Sequence, residues 1–148
     1  MNNTAARDAL VEQIKQADNI LVALNSNPTI DELTSALALT LILAKTNDHV
    51  TTIFSGKIPS VLNFLEPNKF FDKTVDGLRD FIIALNPDKA DRVRTKIVDD
   101  MVRVSITPSK GAVTIDDLEF SQGDYNVDLV IALGVRNPDD LDKALQAH

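Results

Sequence analysis

Cysteine and tryptophan are absent from the 148 residues, tyrosine occurs once and glycine only five times. Without thiols the chain is neither a disulfide scaffold nor a cysteine-ligated zinc or iron–sulfur protein, and its composition fits a reducing cytoplasm. None of the glycines stands in a Gly-x-Gly-x-x-Gly or Walker arrangement, which excludes the usual phosphate-cradling loops. A Gly-x-Ser-x-Gly elbow is missing too, so serine hydrolase chemistry has no platform. The charged stretch from Met1 to Asp18 lacks the apolar run of a signal peptide. The greasiest run, Leu33 to Ala44, falls short of the about twenty residues needed to cross a bilayer and is broken by Thr34, Ser35 and Thr40. No membrane association is expected.

Cations are the minority charge: 15 Lys and Arg stand against 22 Asp and Glu, a net charge of −7. That balance argues against wrapping duplex nucleic acid, which requires clustered Lys and Arg on the phosphates. The best local basic patch is Arg92, Arg94 and Lys96, which share one strand face by period-two spacing. A solvated edge strand accounts for them as a bland alternative. With 44% hydrophobic residues, the chain has the material for a real core, and residues 1–148 are expected to form a single domain.

What is present alternates between two hydrophobic periods. Thr4 is placed to cap a helix through about Ala17, with Ala9, Leu10, Ile14 and Ala17 as its apolar stripe. Asn19 to Leu24 is almost wholly apolar, the pattern of a parallel strand covered on both faces. A turn-forming stretch follows, then a helix from near Asp31 to about Lys45, with Thr29 and Glu32 spaced as a capping box. His49 to Phe54 and Arg79 to Leu85 read as further parallel strands, and Val61 to Leu65 as a short helix between them. Val93 to Val98 and Val102 to Thr107 alternate apolar and polar residues around Asp99 and Asp100, predicting an antiparallel hairpin with an exposed edge for self-association or a protein partner through residues 93–107. Ile115 to Phe120 reads as a short helix, Asp128 to Leu133 as the last strand and Asp139 to Gln146 as the last helix. The expected class is therefore α/β: a mostly parallel open sheet flanked by helices, with a small antiparallel hairpin excursion. Leu37, Leu41, Ile42, Val22, Ile83 and Ile131 are the expected core.

In such sheets ligands bind beyond the carboxyl ends of the strands, which directs attention to Asn25–Asp31 and to the residues from Gly134 onward. The stretch Asn25-Ser26-Asn27-Pro28-Thr29-Ile30-Asp31, followed by Glu32-Leu33-Thr34-Ser35-Ala36-Leu37-Ala38-Leu39, resembles the first motif of DHH-family phosphoesterases. That motif has the form His-x-Asn-Pro-Asp-x-Asp, followed by Ala-Leu-Gly-Ser-Ala-Leu-Ala-Leu. Asn27, Pro28, Asp31, Leu33, Ser35, Ala36, Leu37, Ala38 and Leu39 agree with it, and Pro59 to Leu65 also looks like the family. The resemblance covers most of the chain outside the hairpin. It implies an N-terminal DHH domain, with the Asp-His-His motif expected beyond His148 in a longer protein.

In the family, the motif His and both motif Asp residues, with an Asp after a later strand, help hold a pair of divalent metals, commonly manganese. Here those positions carry Asn25, Thr29, Asp31 and Gly134, so Asp31 is the remaining metal-ligand candidate. One carboxylate cannot compensate two hard dications for their lost water. The resemblance then implies a catalytically impaired, ligand-sensing or protein-interaction module with no resident cofactor. A nucleotide or phosphate ligand would be held by Asn25, Asn27, Thr29, Asp31, Ser35 and Gly134. The alternative it implies is an active manganese-dependent phosphoesterase on short oligonucleotides or cyclic dinucleotides, completed by ligands from elsewhere. Plainer roles compete at three positions: Asp31 favoured by a helix dipole, Ser35 allowing close helix–sheet packing, and Gly134 permitting a tight turn.

Overall fold

The computed structural model describes residues 3–146, which gather into two compact units: residues 3–79 with 125–146, and Asp80–Asp124. Helix α1 (Asn3–Gln16) opens the first. It begins one residue before Thr4, which therefore lies inside the first turn instead of capping it. At its other end, the buried Asn47 amide donates to the carbonyls of Ile14 and Ala17 at 3.0 and 2.9 Å, satisfying groups that the helix leaves open. Strand β1 (Asn19–Leu24) is buried from its second residue to its last, as an apolar run covered on both faces requires.

Helix α2 (Ile30–Leu43) starts on the capping box that the sequence predicts: Thr29 Oγ1 accepts from the Glu32 N–H, and the Glu32 carboxylate accepts from the Thr29 N–H. Leu33, Ala36, Leu37, Thr40 and Leu43 form its buried stripe. Leu41 and Ile42 are exposed, contrary to expectation, because a 3.6-residue period rotates them away from that stripe. Thr40, one of the residues interrupting the apolar run, donates to the Ala36 carbonyl at 2.7 Å and shares a hydrogen bond with Thr52, so its hydroxyl is satisfied in the core. Thr52 belongs to β2 (His49–Ile53).

The sheet of this unit is parallel, in the order β3-β2-β1-β8, where β3 is Phe71–Asp72 and β8 is Leu129–Leu133. The third strand beside β2 is thus not Arg79–Leu85. Phe71 is buried and meets Phe54 edge-to-face at 6.4 Å, filling the position with apolar volume. β4 (Arg79–Leu85) instead pairs with β7 (Leu118–Tyr125) in a separate two-stranded sheet, and Ile83 is exposed on it. β-Branched and aromatic residues favour an extended chain but do not select its neighbour. Val22 and Leu37 are buried as expected.

Between these strands, β5 (Ala90–Val98) and β6 (Met101–Pro108) form the predicted antiparallel hairpin. Its two-residue turn, Asp99-Asp100, has positive φ at both positions (51° and 59°), the requirement of a type I′ connection. Ile115–Asp117 is one 3₁₀ turn that leads directly into β7, so the helix expected through Phe120 is absent. The Lys89–Asp117 ion pair and the Ser109 N–H bond to the Lys89 carbonyl tie the base of the hairpin.

β8 (Leu129–Leu133) completes the parallel sheet on the other side of β1, with Ile131 partly buried against the core. The predicted helix Asp139–Gln146 is split into a 3₁₀ turn at Pro138–Asp140 and α3 (Lys143–Gln146). Between them the backbone pairs with the end of β1: Leu141 bridges Asn25, and Asp142 N–H donates to Leu24 O at 2.9 Å. Those groups cannot also serve a continuous helix. Among the described residues, no helix is long and apolar enough to cross a membrane.

Candidate functional site

The carboxyl ends of β1 and β8 bring together Asn25, Thr29 and Gly134, and all three converge on Glu32. The Asn25 amide donates to Glu32 Oε2 at 3.1 Å and to the Gly134 carbonyl at 3.3 Å, while its own oxygen accepts the Asn27 N–H at 2.8 Å. Thr29 donates to the same Glu32 oxygen from its N–H at 2.8 Å and its hydroxyl at 3.1 Å. These donors hold the Glu32 carboxyl below its usual range. The Thr29 backbone has the largest effect, and partial burial opposes it.

Gly134 has φ of +68°, and a Cβ there would lie 2.0 Å from Glu32 Oε1 and 2.6 Å from Asn25 Nδ2. The glycine permits both the turn and the close approach of Glu32.

Asp31 and Ser35 stand apart from this cluster on exposed positions of α2. Ser35 therefore does not provide close packing between α2 and the sheet, since that contact belongs to Ala36 and its buried neighbours. Of the six predicted ligand residues, Asn27 lines the cleft described next.

That cleft, about 600 Å³, opens beyond β1 and β2 and is lined in part by Ser26, Asn27, Ser55, Lys57, Asp142 and Lys143. Asp142 is 1% exposed. Its two carboxylate oxygens accept the N–H groups of Ser55 at 3.1 Å and Ala144 at 3.0 Å, fixing the loop after β2 against the start of α3. Two lysines, two serines and an asparagine amide offer the cation and hydrogen-bond donors that phosphate oxygens take. Ser26, Ser55, Lys57, Asp142 and Lys143 are absent from the sequence-based candidate set. Asp142 sits in the acidic run Asp139-Asp140-Leu141-Asp142, where spacing does not distinguish a buried carboxylate from a solvated cap.

Among the described residues, no three His, Asp or Glu side chains gather as a metal-ligand set. Asn25 and Thr29 are engaged by Glu32, so the side chains present around Asp31 do not fit a dinuclear manganese centre. No family model, curated protein or solved structure matches the chain.

Proposed function

We propose that this chain is a DHH-phosphoesterase-like module that has exchanged metal-dependent catalysis for ligand sensing, with a nucleotide or other phosphate-bearing molecule bound in the cleft beyond β1 and β2. The observation that carries the reading is the Glu32 network. Asn25 and Thr29, which occupy two metal-ligand positions of the resembled motif, direct neutral donors at a carboxylate of the same chain. Neutral amide and hydroxyl groups do not hold hard dications or lower the pKa of a bound water as a carboxylate set does. Lys57 and Lys143 supply the charge that a phosphate needs, and Ser26, Ser55 and Asn27 add donors around it.

The test is calorimetric titration of the purified chain with manganese and separately with a panel of cyclic dinucleotides and short oligonucleotides, with hydrolysis followed in parallel. The expected outcome is nucleotide binding without turnover, weakened about tenfold or more in Lys57→Ala, as loss of one charge-assisted hydrogen bond implies. Manganese-dependent turnover that disappears in Asp31→Ala would overturn this reading in favour of an active phosphoesterase. Failure of every nucleotide to bind would also reject the proposed ligand class.

A further inference from the structure

The hairpin β5–β6 has two faces of opposite chemistry. Its register pairs Val93 with Ile106, Thr95 with Val104 and Ile97 with Val102, and cross-strand partners share a face. Over these three pairs one side of the ribbon is Val, Ile and Thr. The alternate pairs, Arg92 with Thr107, Arg94 with Ser105, Lys96 with Arg103 and, beside the turn, Val98 with Met101, place four cations and one apolar pair on the other side. The apolar face is open: Val93, Ile97, Val102 and Val104 are 58, 78, 71 and 50% exposed. No residue from Asp80 to Asp124 is buried. A two-stranded ribbon is marginal in water unless its apolar face is covered.

We infer that this face is an interface between two copies of the chain, stacked hairpin on hairpin. Charge selects this occupant. Apolar-to-apolar stacking separates the two ribbons by about 10 Å and turns all the cations outward, so no charge is buried and like charges stay apart. An acidic partner would instead seat on the basic side. A lipid surface needs cations flanking the inserted apolar residues, whereas the cations lie on the face opposite Val93, Ile97, Val102 and Val104. Within these three pairs the Thr95 hydroxyl is the one side-chain polar group, so the patch is complementary to itself, as an isologous contact requires. The six side chains offer roughly 500 Å² per copy by transfer-area arithmetic. The pair then buries about 1,000 Å², the lower bound for a specific interface, and the dimer should dissociate on dilution.

Sedimentation equilibrium of the full chain over a range of concentrations tests this directly. The expected mass rises from the 16.2 kDa of one chain toward twice that value. Ile97→Asp and Val102→Asp, on different strands and at exposed positions, should each hold the chain at monomer mass with an unchanged far-ultraviolet spectrum. Lys96→Asp, on the opposite face, should still dimerise. A wild-type chain that stays monomeric throughout, or a dimer that persists in both apolar-face variants, would overturn the assignment.

Discussion

The side-chain amide of Asn25 donates to Glu32 Oε2 at 3.1 Å, joining the end of β1 to the first turn of α2. The same carboxylate receives Thr29, which makes it the hub of the loop. Because its pKa is lowered in the fold, Glu32 contributes stability that is complete above the ordinary glutamate pKa and lost as pH falls through the folded value. Urea midpoints measured from neutral pH down through the carboxylate range should fall less steeply in Glu32→Gln than in the parent chain. Equal acid slopes would remove Glu32 from this role.

Gly134→Ala should destabilise the chain by about 1–3 kcal/mol, the cost of a non-glycine residue held at positive φ. The new methyl also meets Glu32 Oε1 and Asn25 Nδ2. Combining it with Glu32→Ala should therefore cost less than the sum of the two single changes in a double-mutant denaturation cycle. Simple additivity would show that the steric contact is unimportant.

Leu37→Ala should cost about 2–5 kcal/mol, since Leu37 is buried in the α2 stripe. Ile42→Ala, which removes an isomeric side chain of the same size but 61% exposed, should change stability by less than about 0.5 kcal/mol. Parallel urea titrations would reverse the assignment of the buried face if the two costs were exchanged.

Asp142→Ala should cost about 1–3 kcal/mol for each backbone donor it strands, those of Ser55 and Ala144. Asp142→Asn keeps one acceptor oxygen and should lose less. Amide exchange at Ser55 and Ala144 should accelerate in the alanine variant. Protection that remains unchanged there would show that other groups hold the loop.

Several elements are specified by local information alone. The apolar run Asn19–Leu24, the Thr29/Glu32 box and the alternating strands around Asp99-Asp100 each specify their own structure through periodicity, capping and a two-residue turn. What those elements meet depends on packing between distant segments. Arg79–Leu85 is a strand, as its composition dictates, but β7 and not β2 is its neighbour, because intrinsic propensity does not choose a partner. Leu41 and Ile42 are as apolar as Leu43, yet the rotation of α2 against the sheet buries only the last of the three. At the candidate site, the motif spacing leads to Asn25, Thr29 and Gly134, whereas the approach of Asn25 and Gly134 to Glu32 and the burial of Asp142 emerge only when the ends of β1, β2 and β8 are brought side by side. A carboxylate's role is set by the donors that surround it, and those donors come from segments far apart in the chain.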